Sequence, residues 1–477
     1  MRFPCARSGI SAPTKTMASQ LTIDTTSFTP YSASVEDRAP SFALVRTSLI
    51  ATLLAAPLAF GAVQPWAWGA LAVAAFLLLL FWSIASVRQG SLKILCSPLY
   101  VPAGIFFLLA AIQFAGRLTM DSMATREALL KLSTDLILFF LAGQFFSART
   151  SASARLFKSG IRSSRQRIDG PESDMLSSSL LRWTLVAYTF VLALFAIFQF
   201  FSSQGMIYWM VKSPGWTFGP YVNHNHYAGL MEMLIPLSVA SALPEFRRQS
   251  AAVVGCIILI PIASLLLSAS RGGFIALLVE VLLAAVLVFW FGPRHARKLT
   301  ALAGGAALVA AGLLFFWMAP RHITERLATM ADSTHRPEVE LRERWVAARD
   351  SLGIVRDHPW MGAGLGSFET VFPRYESFAT DFLWDHAHND YAEALAETGV
   401  AGGAAILCAL GLFFWLAFRN LRERLRYPAG WMQFGAAIGC CGILVHSFAD
   451  FNLHMPANAA WFVVCAALGT SATNSQG

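Results

Sequence analysis

From Asp385 to Asp390 the chain reads Asp-His-Ala-His-Asn-Asp, with Glu393 and Glu397 just behind at the head of a long apolar run. Imidazole is the side chain best suited to exchanging protons near neutrality, and it is also a common metal ligand. A metal needs converging ligands, yet His386 and His388, two residues apart, point away from each other on a helix, and no second ligand set of matching spacing is visible. No metal site is therefore expected, and the histidines are left as acid–base groups, sugar contacts, or rings satisfied by their neighbours. Three other segments carry comparable chemistry. Trp216 to Gly229 (WTFGPYVNHNHYAG) holds Asn223, His224 and His226; Ser268 to Gly273 (SASRGG) holds Arg271; His446 to Asn458 (HSFADFNLHMPAN) holds Asp450 and His454.

The elements that must position these groups are apolar. Of the 477 residues 56% are hydrophobic and 13% charged, and the mean hydropathy is +0.54. Soluble domains carry about 25% charged residues, so a polytopic membrane protein is expected. About twelve runs are long enough to cross a bilayer as helices: 45–62, 67–87, 98–115, 128–147, 181–201, 227–243, 251–269, 273–291, 300–318, 400–418, 431–449 and 457–471. Runs of this length without alternation exclude a membrane β-barrel. The fold class is thus an all-α integral membrane protein with a large loop between spans nine and ten.

A net charge of +8 raises the question of nucleic acid, but the basic residues fall in alternate loops. The clusters are Arg149 to Arg182, Arg247 with Arg248, Arg294 to Lys298, and Arg419 to Arg426. With every span counted they share one side, which the positive-inside rule assigns to the cytoplasm together with both termini. Residues 1–43 read as a disordered tail with no signal peptide, with Met1 or Met17 as the start. Residues 44–201 form an N-terminal bundle whose basic loop 148–181 is either a tether on anionic lipid or a solvated linker. Residues 202–472 form a second membrane domain that includes a cap over 319–390, and 473–477 are a tail. None of the seven cysteines is placed to form a bridge in an outer loop, and Cys440 with Cys441 reads as helix packing.

On this topology all four polar segments lie on the outer face. Arg271 would stand at a membrane boundary, where a charge must pair or snorkel. Gly272 and Gly273 open the next helix, whose free N–H groups and positive dipole end would complete an anion site sized for a diphosphate; snorkelling without a ligand is the other reading. In the cap, Val339 to Trp360 reads as an amphipathic helix. Leu341, Trp345, Ala348, Leu352 and Val355 form its apolar stripe, with Arg342, Arg349 and Arg356 alongside.

His388-Asn389, nine residues, Gly399, two residues and Gly402 match the HN-x9-G-x-x-G pattern of the O-antigen ligase and polymerase superfamily. Asp357 to Phe368 (DHPWMGAGLGSF) resembles that family's hP-x-x-G-x-G-x-x-x-F segment, and VNHNHYAG, SASRGG and DFNLHMPAN are similar to it in kind and order. One departure stands out. Where members often carry an Arg four residues before the cap-helix Trp, this chain has Leu341, with Arg342 and Arg344 nearby.

The resemblance implies a metal-independent glycosyltransferase without cofactors. It would take a glycan from a polyprenyl-diphosphate carrier on the outer face of the bacterial inner membrane and pass it to a second glycan or to lipid A core. His388 would be the base, and Arg271 with Arg342 or Arg344 would meet the diphosphate. Asn389, Asn223, His224, His226, Asp450 and His454 would contact substrate. Gly399 and Gly402 would let the tenth helix approach a neighbour closely. Membrane lipid and other polysaccharide-assembly proteins are the expected partners, and nucleic acid is not. HNHYAG and DFNLHMPAN favour capsule or exopolysaccharide assembly within the family. A protein O-oligosaccharyltransferase is an alternative, as is a small-anion transporter, for which Glu280 and Glu232 are the clearest midplane charges.

Overall fold

A computed structural model of the chain describes residues 40–89, 94–146, 172–213, 215–243, 249–294, 297–298, 304–305, 341–378 and 383–471. All of the expected ninth span (300–318) but 304–305, most of the basic loop, residues 1–39 and 472–477, and residues 319–340 and 379–382 of the cap lie outside the described residues. The molecule is mostly helical. In chain order run α1 (Pro40–Leu58), α2 (Pro65–Arg88), α3 (Tyr100–Ala115), α4 (Ser122–Phe146), α5 (Glu172–Ser202), α6 (His224–Ala242), α7 (Ala251–Leu267), α8 (Arg271–Phe291), α9 (Leu341–Asp357), α10 (Asp390–Phe418), α11 (Pro428–His446) and α12 (Pro456–Thr470). A two-stranded hairpin, β1 (Met206–Ile207) with β2 (Val211–Lys212), joins α5 to the segment before α6.

Among the described residues six helices are long and apolar enough to cross a membrane: α2, α4, α5 from Leu180, α8, α10 and α11. Four shorter apolar helices lie within α1, α3, α7 and α12. Each of the other eleven expected spans is overlapped by a helix, and two of these helices begin in stretches read as something else. α1 starts inside the stretch read as tail, and α5 starts at Glu172, inside the stretch read as basic loop.

The centre of the bundle is the α6–α11 pair, both buried along nearly their whole length. Glycine makes their approach possible. A Cβ on Gly435 would stand 2.3 Å from the Pro236 carbonyl oxygen, and one on Gly439 would stand 2.7 Å from the Met233 Cα. Small residues at such crossings bring backbones together where no hydrophobic force between helices does so. At the opposite end from the polar segments, Arg424 is buried and not solvated as its place in a basic cluster suggested. It donates to the carbonyls of Leu416, Ala417 and Gly469 and to Gln433. The last turns of α10 and α12 leave unsatisfied carbonyls there, and the guanidinium fills that need.

The cap has a small apolar core of its own, in which Phe368 stacks on Phe372 at 4.8 Å beside Ala347, Ile354 and Trp384. α9 contributes a different face from the one its pattern suggested. Ala347, Ser351 and Ile354 are the buried side, whereas Trp345 (62% exposed) and Leu352 face outward. The cap is attached to α10 at a break. Gly399 has φ +63°, which frees backbone groups on both sides of it. The 359–364 loop takes them up: Val400 and Ala401 donate to Pro359 and Trp360, and Ala363 and Gly364 donate to Ala396 and Glu397. A Cβ at Gly399 would lie 2.5 Å from the Trp360 carbonyl carbon. The close approach expected of Gly399 is therefore to the cap and not to a neighbouring membrane helix, while a Cβ on Gly402 would meet Thr398 of the same helix and, at 3.3 Å, Leu109 of α3, the neighbour approach expected of it.

Candidate functional site

The head of α10 is laced to the end of α11. Asn389 caps α10, its side-chain oxygen accepting from the N–H groups of Tyr391 (3.1 Å) and Ala392 (3.0 Å), and its amide nitrogen donates to the Phe448 carbonyl. Asp390 donates its N–H to Ser447, and the Tyr391 hydroxyl donates to Leu444. Both ends of the Asn389 amide are thereby used in orienting its neighbour. That neighbour, His388, sits at φ +49°, a left-handed conformation uncommon outside glycine and held here by the capped helix behind it.

His388 faces Asp450. The carboxylate is fully buried between α11 and α12, and one of its oxygens is 3.4 Å from His388 Nδ1 and 3.8 Å from His226 Nε2. Its other oxygen is 3.4 Å from Arg344 Nη1, which also donates to the Ala449 carbonyl at 3.1 Å. Arg344 thus carries the cap onto this end of the bundle, whereas the Arg342 side chain lies outside the described residues. Burial pushes the Asp450 carboxyl up, but His226 and His388 beside it prevail and hold it well below the usual carboxylate range.

A second group shares one wall with the first. The Phe451 ring has His386 stacked on it at 4.2 Å and the edges of His388 (4.8 Å) and His226 (4.9 Å) against it. His386 Nδ1 is 2.7 Å and His454 Nε2 3.2 Å from the same oxygen of Glu393, whose other oxygen accepts from the Ala387 N–H. His454 Nδ1 is 2.8 Å from Asp390. Burial lowers the affinity of both rings for a proton, yet the carboxylates outweigh it: Glu393 raises His386, and Glu393 with Asp390 and Glu397 pushes His454 up to about 10.

The third component is the start of α8. Ser270 caps it by accepting from Gly273, and a Cβ on Gly272 would lie 2.4 Å from the His446 ring. His446 in turn is 2.7 Å from Glu232 of α6, both fully enclosed. Arg271, the first residue of α8, is exposed and has no hydrogen-bond or ion-pair partner among the described residues.

All four polar segments therefore meet at one end of the bundle. His226, Arg344, His388 and Asp450 come together, with Asn389 and His454 adjoining. Two expected contacts stand apart. Asn223 is the cap of α6, accepting from Asn225 at 2.8 Å, and His224 packs on Trp216 at 5.2 Å. Asp450 has no exposed surface, and its oxygens face His388, His226 and Arg344. Sequence reading gave no site role to Glu393, His446 or Phe451, and took Glu232 only as a midplane charge. Asp390, Glu393 and Glu397 recur at steps of three and four, the spacing of one helix face, so two of the His454 partners were visible in principle.

Residues 256–407 match the family described as O-antigen ligase. The matched stretch contains Arg271, Arg342, Arg344, His388 and Asn389, and it ends before Asp450 and His454. No curated protein matches the chain.

Proposed function

We propose, on the match of residues 256–407 to the O-antigen ligase family, that the chain is a member of that superfamily and transfers a glycan from a polyprenyl-diphosphate carrier to an acceptor hydroxyl, on the outer face of a bacterial inner membrane. About twelve crossings and a cap outside the membrane go with this reading. The observation that carries it is the meeting of His388, the buried Asp450 and Arg344 at one end of the bundle. Asp450, 3.4 Å from Nδ1, favours a proton on that nitrogen and so leaves Nε2 of His388 to take one. The acceptor oxygen loses its proton to Nε2 as it bonds to the anomeric carbon; the bond from that carbon to the phosphate oxygen breaks, and the carrier diphosphate leaves with the electron pair. Arg271 at the α8 N-terminus, and the donors of Arg344 not turned to Asp450, meet the departing charge without a metal at the leaving group.

Polymerisation of a capsule or exopolysaccharide is preferred to ligation onto lipid A core, with a Ser or Thr acceptor as a further variant of the same chemistry. A transport reading draws on Glu280 of α8, which is buried with no hydrogen-bond partner for either oxygen among the described residues. The transfer reading is tested with purified protein in nanodiscs and carrier-linked glycan. Wild type elongates or transfers the glycan, and His388→Ala binds donor but turns over about 10² to 10⁴ more slowly. Full transfer by His388→Ala removes the base from the scheme.

A further inference from the structure

His386, Glu393 and His454 present an imidazole, a carboxylate and an imidazole whose ligand atoms all lie within 4.8 Å of one another. We propose that these three side chains bind a divalent transition metal of the zinc class, which fastens the segment before α10 to the turn between α11 and α12. The site uses neither His388 nor Arg271 and does not depend on the transfer chemistry.

The tautomers point the same way. A ring held at Nδ1 by a carboxylate offers its Nε2 lone pair, and that is how His454 stands, with Asp390 at 2.8 Å from Nδ1. Its Nε2 then faces Glu393 Oε1 at 3.2 Å, a contact that needs either a proton on Nε2 or a cation between the two atoms. His386 Nδ1 is turned to the same oxygen at 2.7 Å. A single carboxylate oxygen thus has two imidazole nitrogens aimed at it, a pattern met either by two imidazolium rings or by one metal ion.

Several features favour the ion. Ligands about 2.05 Å from zinc stand about 3.4 Å apart in a tetrahedron, so the 3.2 Å pair is already at that spacing, and the separations of the others need to change by about 0.7 to about 1.4 Å. Metal-bound histidine nearly always gives its second N–H to a carboxylate or carbonyl, the part Asp390 takes for His454, and metal-bound carboxylates are themselves hydrogen-bonded, as Glu393 is by the Ala387 N–H. Two histidines and a glutamate form a known zinc donor set with an open fourth position. The side chains of His386 and His454 are 23% and 31% exposed, which leaves an entry path. Ligands from 386, 393 and 454 could not be paired by local spacing, because the third arrives from beyond the next membrane helix.

The test uses the full chain in detergent, carrying no polyhistidine tag and with the exposed Cys96, Cys256 and Cys408 changed to serine to suppress adventitious binding. Calorimetric titration with Zn²⁺ and absorption with Co²⁺ should each show one equivalent bound. Glu393→Gln and His454→Ala should weaken binding more than about 100-fold, and Asp390→Asn by about 10- to 100-fold. Because a ligand variant can fail to fold, His386→Cys provides a positive readout: it keeps a donor, and the Co²⁺ form should gain a thiolate charge-transfer band. The proposal is overturned if wild type binds no stoichiometric Zn²⁺ or Co²⁺, if Glu393→Gln binds as wild type does, or if His386→Cys binds Co²⁺ without that band. Neither of the first two results bears on transfer by His388.

Discussion

Asp450→Asn replaces a carboxylate with an amide of the same shape, so it removes charge while leaving volume almost unchanged. Arg344 and His388 each approach Asp450 to 3.4 Å. At that distance a full charge pair is worth about 5 kcal/mol at an effective dielectric of about 20, before the cost of burying the ions. Removing one member of a buried pair costs about 3–5 kcal/mol, most of it the stranded partner, and part of Arg344 still reaches water, so the lower end is expected here. The kinetic effect follows from tautomer and orientation. Without the carboxylate 3.4 Å from Nδ1, His388 loses the charge that favours a proton there and keeps Nε2 free; the analogous change costs about 10⁴ in turnover in the serine-protease triad. The longer separation and the sharing with His226 reduce the expected loss to about 10² to 10³. Donor affinity should change little, since Asp450 has no surface for a ligand to touch. The carboxyl is held well below its usual range, so its stabilisation is complete above the unfolded value near 4 and is lost only as pH falls through the lower folded value. The ratio of wild-type to Asp450→Asn stability should accordingly be flat across neutral pH. Single-turnover transfer, donor binding and thermal unfolding in nanodiscs measure the three quantities. Wild-type turnover in Asp450→Asn, or a loss of donor affinity matching the loss of turnover, would refute the orienting role.

Arg271→Ala should lower donor affinity and turnover together, because the diphosphate is charged before and after transfer, and Arg271→Lys should restore only part of both; normal binding and transfer by the alanine variant would leave snorkelling as the role of Arg271. Arg424→Ala strands three helix-end carbonyls and should cost about 3 kcal/mol or more, read as a lower unfolding temperature with the site residues intact. Phosphatase fused after Pro337 should be active, and a cytoplasmic reporter should respond after Arg426; the same side for both would undo the outward orientation of the site.

Much of the bundle was legible because membrane helices advertise themselves by length and hydropathy, properties local to each run. Less legible were features decided by what a helix meets. α9 carries apolar residues on two faces, and the buried one, Ala347 to Ile354, has smaller side chains than the outward Trp345 and Leu352. Hydrophobicity alone selects the larger residues, whereas cap packing selects those that fit. Arg424 is a similar case: charge counting makes it solvent-facing, but the carbonyl ends of two helices offer it more than water does. At the site, residue types named His388, Arg271 and Asp450, yet could not separate the fully buried Asp450 from a substrate contact. His224 and His226 shared one string and one expected role, and only the rotation of α6 sends one to Trp216 and the other to Asp450.

That rotation is set well away from the chemistry. Gly435 and Gly439 let α11 lie against the α6 backbone, and the two helices then deliver His446 to Glu232 and the turn after α11 to the start of α6. Asp450 and Phe451 follow within one turn of His446, so the same contact places the carboxylate beside His226 and the ring between the two histidine groups. The capped head of α10 closes the arrangement from the other side through Ser447 and Phe448. Buried charges are costly singly, and each here is matched across elements distant in sequence: Asp450 by α6, α9 and the α10 head, Glu232 by α11, and Glu393 by the turn before α12. An end of the bundle built this way has its dipoles and charges oriented before a substrate arrives, the condition under which a low-dielectric site stabilises developing charge most strongly.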